Sequence, residues 1–127
     1  MKAFTDLEQG RKLTEILPIE SADMYWWCAS SNFGKRYYIE AMDDADFNEE
    51  EGCIRAWSLA ALLSVLPYPY IEENYRGKWT CKVEQRNITF LREASNPIDA
   101  CYEMIIGLKE KNITDDDLNY NDYGTDR

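Results

Sequence analysis

A chain of 127 residues with 45% apolar and 30% charged residues suits one domain that buries about two thirds of the surface its unfolded form exposes. Nine Tyr, four Trp and four Phe exclude a disordered chain, which is poor in such residues. The formal charge of −10 leaves no Lys/Arg excess for nucleic acid or an anionic membrane, and the absence of His removes the usual base of Ser and Cys nucleophiles.

The charge is segregated. Asp43, Asp44, Asp46, Glu49, Glu50 and Glu51 form one acidic segment without a base, and residues 114–127 carry five Asp against one Arg. The other 13 acids and 13 bases balance. Such runs either hold a loop and a tail in water or face a basic partner. No apolar core follows Met1-Lys2, so no secretory signal is expected and a cytoplasmic location is. The longest apolar run, residues 59–66, is too short to span a bilayer.

In chain order, Thr5 and Glu8 read as a capping box. Leu7, Leu13, Ile16 and Leu17 give the helix that follows an apolar side, and Pro18 stops it. Residues 24–28 and 36–42 are β-prone runs around a Ser/Asn/Gly cluster and predict a hairpin. After the acidic segment, Ser58 is the natural N-cap of a helix over 59–66, with Trp57 and Leu62 as a hydrophobic staple. That helix is apolar nearly all round and should be central. Residues 68–76 read as a Tyr-rich connection. Trp79, Cys81 and Val83 alternate with Lys78, Thr80, Lys82 and Glu84, predicting a half-buried strand that pairs with residues 88–92. Asn96 and Pro97 open the last helix, whose face is Ile98, Cys101, Tyr102, Ile105 and Leu108.

The expected fold class is α+β: a single domain over 1–113 in the order helix, hairpin, helix, hairpin, helix. Its four-stranded, mainly antiparallel sheet carries the helices on one face. Residues 114–127 are expected to be an acidic, disordered tail. The expected core is Trp57, Leu62, Leu63, Leu66, Trp79, Ile98, Cys101 and Ile105.

Little here supports catalysis. The glycines are isolated, so no phosphate-binding loop is present, and Cys28, Cys53, Cys81 and Cys101 lack the close pairs of a zinc site. They read as reduced thiols. Asp115, Asp117, Asn119 and Asp126 match part of a calcium loop, but Tyr120 stands where its glycine belongs. Neither metal nor cofactor is expected. The most distinctive local feature is aromatic. Tyr25 and Trp27 fall on one face of the first strand and Trp26 on the other, near Tyr37 and Tyr38. One face should be core, and the other is either cross-strand packing or an exposed platform.

Leu7-Glu8-Gln9, Leu17-Pro18-Ile19-Glu20-Ser21-Ala22-Asp23-Met24-Tyr25, the run from Trp57 to Pro67 and that from Asn96 to Ile105 resemble a family of small uncharacterised proteins. The family occurs in gut Bacteroides-type bacteria, their phages and mobile elements. The resemblance implies no activity and no site residues. The expected function is therefore a non-enzymatic accessory protein that meets an unidentified protein partner. Its candidate contacts are Asp43, Asp44, Asp46, Glu49, Glu50, Glu51, Tyr25, Trp26 and Tyr38. The alternative is a module that binds a small ligand, nucleotide or sugar, on the aromatic hairpin. Because the apolar periodicity stops before the tail, truncation after Thr114 is expected to leave the melting temperature nearly unchanged. A drop of many degrees would place the tail in the packed domain.

Overall fold

The computed structural model describes residues 1–85 and 87–111. The expected tail and its partial calcium pattern lie outside them. The chain folds as a single α+β domain, but its sheet is not the expected four-stranded one. It contains two three-stranded antiparallel sheets, β2-β1-β3 and β4-β5-β6. The strands are β1 (Met24–Ser31), β2 (Gly34–Ala41), β3 (Ile54–Ala56), β4 (Tyr70–Glu73), β5 (Trp79–Gln85) and β6 (Ile88–Ala94). The helices are α1 (Leu7–Thr14), α2 (Leu59–Val65) and α3 (Pro97–Glu110).

The correction has a physical cause. Both expected hairpins form, β1 with β2 and β5 with β6. Each then takes its third strand from a segment read as a connection. Ile54–Ala56 is too short to show alternation, yet it pairs with the free side of β1, opposite Met24, Tyr25 and Trp26. Tyr70–Glu73 follows Pro69 and reads as a turn, yet it pairs with β5. β1 and β5 thereby become the central strands of two separate sheets, and the hairpins do not join. Nor do the helices share one sheet face. The α1 helix packs on β3, α3 on β5 and β6, and α2 on α3, so the helices join the two sheets.

The expected N-cap of α1 shifts by one residue. Asp6 caps it, accepting from the Gln9 amide at 2.8 Å, while the Gln9 side chain accepts from the Asp6 amide at 3.1 Å. Thr5 is unavailable because its hydroxyl, fully buried, accepts from the Trp57 amide at 3.0 Å. The helix ends at Thr14, before Pro18, and a short 3-10 turn covers Ile19–Ser21. Ser58 caps α2 and Asn96 caps α3 with Pro97 in its first turn.

Asp99 links two helix starts. It accepts from Lys2 Nζ at 2.8 Å, Gln9 Nε2 at 2.9 Å and Asn96 Nδ2 at 2.9 Å. Desolvation opposes its ionisation, but these three donors win and hold its carboxyl below the usual range.

The core gathers Leu13, Leu17, Trp57, Leu62, Leu66, Val83, Cys101, Met104 and Ile105. Leu63 and Trp79, expected to be buried, are half-buried against it. The free thiols Cys81 and Cys101 are neighbours in the core, where the hydrogen bond with Cys81, then burial, push the Cys101 thiol up. No helix among the described residues is long and apolar enough to cross a membrane.

Leu62 has no exposed surface, so Leu62→Ala is expected to destabilise by about 2–5 kcal/mol, measured by urea unfolding. A midpoint equal to wild type would contradict the packing of α2. The two helical glycines separate more finely. A Cβ at Gly10 would collide with the Arg55 carbonyl in β3 and meet Ile54 Cγ2 at 3.1 Å, whereas one at Gly107 meets only the tip of the Arg92 side chain. Gly10→Ala is expected to cost about 1–3 kcal/mol despite its better helix propensity. Gly107→Ala should stay within about 1 kcal/mol of wild type, because a flexible side chain yields where backbone does not.

Candidate functional site

The β1–β2 hairpin carries the aromatic residues, and its register sets their faces. Tyr25 lies opposite Glu40, Trp27 opposite Tyr38 and Ala29 opposite Arg36, all on one face. Trp26, Ile39 and Ile54 share the other. Trp26 belongs to the scaffold. Its indole N–H donates to the Thr5 carbonyl at 3.1 Å, and its ring packs edge-on against Phe4 with centroids 5.5 Å apart.

The acidic segment crosses the Tyr25 face on its way from β2 to β3. Phe47 anchors it, edge-on to Tyr25 at 5.5 Å. Asp43 accepts from the Ala45 amide at 3.0 Å and Asn48 from the Glu50 amide at 2.9 Å, which shapes two tight turns. Gly52 closes the second at φ 94°, a left-handed conformation that glycine adopts without a steric penalty. Glu49 is consumed by Arg55, which grips it with two nitrogens at 2.8 and 3.1 Å and also donates to the Leu17 carbonyl at 3.3 Å.

Between the segment and the hairpin lies a cavity of about 270 Å³, lined by Tyr25, Trp27, Cys28, Glu40, Asp46, Glu51 and Cys53. Of the residues singled out from sequence, the fold brings Tyr25, Asp46 and Glu51 together here. Asp43, Asp44, Glu49 and Glu50 stay outside its walls, and Trp26 lies on the opposite face. Tyr38 borders it through Trp27, stacked with centroids 4.7 Å apart and an interplanar angle of 26°. Glu40, Trp27, Cys28 and Cys53 are not among the contacts expected from sequence. Glu40 had a usable signal, since placing the turn at Asn32 and Phe33 puts it opposite Tyr25. Cys53 had none, because its position depends on the unread β3.

The cavity is electronegative. Glu40, Asp46 and Glu51 make no ion pair among the described residues. The Tyr25 hydroxyl donates to Glu40 Oε2 at 3.1 Å. Burial first, then Glu40, Asp46 and Cys53, push its pKa up to about 12, so the phenol remains a proton donor across neutral pH. The Trp27 indole N–H is buried with no acceptor among the described residues. Such walls favour a cation that carries an apolar stem. Among the described residues no group of three or more Cys, Asp or Glu is placed to hold a metal ion.

A second cavity, of about 380 Å³, lies at the hairpin tip against Ala29, Ser31, Phe33, Gly34, Lys35, Arg36 and Tyr38. Its charge is opposite. The hairpin face thus runs from carboxylates at its root, through the Trp27–Tyr38 stack, to Arg36 toward its tip.

No protein-family model, curated protein or solved structure matches the chain.

The raised phenol of Tyr25 gives a pH test. A folded-state pKa of about 12 against the ordinary 10.0 means that the folded chain binds the proton more tightly than the unfolded one. This contribution to stability is complete below pH 10 and is lost as pH rises through 12. Tyr25→Phe is expected to flatten the stability profile in that window, and the wild-type ultraviolet titration should contain one tyrosine that Glu40→Gln shifts downward. Profiles that superpose would contradict the hydrogen bond.

Proposed function

We propose that the protein is a non-enzymatic interaction module that receives a Lys or Arg side chain of a protein partner in the cavity beneath its acidic segment. The observation that carries this reading is the cavity itself: three carboxylates without cations of their own, set over Tyr25 and Trp27. Carboxylates meet the cationic head and aromatic walls pack against the aliphatic stem. Asp43, Asp44 and Glu50 lie outside the walls and act at longer range, steering a basic surface toward the site. The resemblance noted above suggests an accessory role in a Bacteroides-type bacterium or one of its mobile elements.

A second reading rests on the tip cavity. Lys35 and Arg36 beside Phe33 and Tyr38 suit a small anionic ligand with a ring, a nucleotide rather than a neutral sugar.

The test is titration of the protein with short Lys- and Arg-bearing peptides, followed by tryptophan fluorescence and stopped-flow kinetics at several salt concentrations. Asp46→Asn with Glu51→Gln is expected to weaken binding about tenfold or more through a faster off-rate. Asp44→Asn with Glu50→Gln should mainly slow association and flatten its salt dependence, because exposed charges are screened within about 8 Å at physiological ionic strength. Equal effects of the two pairs would remove the cavity from the reading. Binding of nucleotides, lost on Arg36→Ala, would favour the tip instead.

A further inference from the structure

β2 is an edge strand of a kind that monomers seldom leave open. Its partners run without a bulge from Ser31 opposite Gly34 to Met24 opposite Ala41, and it contains no proline. Proteins usually blunt such an edge with a bulge, a proline, charged side chains, a cover or a very short strand, and of these devices β2 carries the charges of Lys35, Arg36 and Glu40. Two of the other edges are very short. β3 is three residues long and lies under α1, and β4 is four residues long. β6 is seven residues long, and along it the Arg92 guanidinium occupies one carbonyl, that of Leu91, at 2.7 Å. No backbone hydrogen bond among the described residues reaches the outer side of β2.

The hydrogen-bond alternation of β2 can be read from its root. The Met42 amide donates to the Asp23 carbonyl at 3.0 Å. Pairs with the same parity therefore exchange bonds with β1, and they include Tyr25–Glu40, Trp27–Tyr38 and Ala29–Arg36. Lys35, Tyr37, Ile39 and Ala41 consequently direct their N–H and C=O groups outward.

We propose that β2 pairs antiparallel with β2 of a second copy of this chain, with Tyr38 on the two-fold axis and Arg36 of each copy opposite Glu40 of the other. This inference does not rest on the functional reading above. In this register the outward groups match: Tyr37 exchanges hydrogen bonds with the partner's Ile39, and Lys35 with the partner's Ala41. Tyr38 and Arg36 then fall at non-hydrogen-bonded positions, where paired Cα atoms come within about 4.5 Å and side chains meet most closely. Tyr38, 40% exposed, extends the Trp27 stack across the axis. Arg36 makes no ion pair among the described residues, and it gains one with the partner's Glu40. An axis at Tyr37 or at Ile39 satisfies the backbone equally well but sets Arg36 opposite Tyr38 or Met42. Charge complementarity selects the axis at Tyr38. The same register points the basic tip of one copy toward the acidic segment of the other and joins the two sheets into one.

Sedimentation velocity of the full chain over a concentration series tests the pairing. Wild type is expected to show a reversible monomer–dimer equilibrium. Arg36→Glu converts both symmetric ion pairs into repulsions, as does Glu40→Arg, so each alone should weaken dimerisation about tenfold or more. Mixed in equal amounts, these two variants have complementary strands, and the dimer should return as a heterodimer. Tyr37→Pro removes an outward N–H that β1 does not use, so it should abolish the dimer while the far-ultraviolet dichroism stays native. Three results would overturn the proposal: a wild-type chain monomeric up to millimolar concentration, a dimer unaffected by Tyr37→Pro, or a charge-variant mixture that stays monomeric while each variant is folded.

Discussion

The fold depends on a polar contact in an apolar place. Thr5 is fully buried, and its side chain and backbone are all used: the amide donates to the Trp57 carbonyl at 3.0 Å, the hydroxyl accepts from the Trp57 amide at 3.0 Å, and the carbonyl accepts from the Trp26 indole at 3.1 Å. The Trp57 indole in turn donates to Ser21 Oγ at 2.9 Å. The N-terminal segment, β1, the turn before it and the entry to α2 thus meet at one point. A group left unpaired there would cost about 1–3 kcal/mol, so each contact at the junction favours the others. Asp23, which accepts from the Ser58 amide at 2.9 Å, fixes the same junction from the side of β1.

This junction explains why the acidic segment is folded back. β3 leads directly into Trp57, and Trp57 is clamped beside β1, so the chain leaving β2 must cross the hairpin to reach the opposite edge of β1. Crossing puts Phe47 on Tyr25 and sets Asp46 and Glu51 over the aromatic face. The carboxylates are close because of chain path, not because they attract one another. Arg55, in β3, neutralises Glu49 and leaves the cavity carboxylates unbalanced. A field of one sign within half-enclosed aromatic walls is the arrangement that draws a cation from solvent.

The same hairpin carries charge of the other sign at its tip. The root carboxylates and Arg36 lie on one face with the Trp27–Tyr38 stack between them, and Arg36 and Glu40 are equally spaced about Tyr38 along β2. A strand with that symmetry is complementary to its own reverse. The proposed interaction through the cavity and the proposed self-pairing along the edge draw on one polarised element, and Glu40 belongs to both.

Local signals were legible wherever one short stretch decides its own conformation. The two hairpins, the Ser58 and Asn96 caps, Pro97 in the first turn of α3 and the alternation of Trp79, Cys81 and Val83 follow from periodicity and capping chemistry within a few residues. Buried positions on α2 and α3 follow from the same patterns, as does the acidity of the segment that holds Asp46 and Glu51. Tertiary structure decided the rest. Ile54–Ala56 and Tyr70–Glu73 are strands only because β1 and β5 offer them an edge, and a strand of three or four residues has too little pattern to declare itself. The cap of α1 fell to Asp6 because Trp57, far along the chain, claimed Thr5. Which acids face the cavity, and which are spent on Arg55 or left in solvent, depended on the path of one crossing loop. Composition states how much charge there is, and only long-range pairing states what it surrounds.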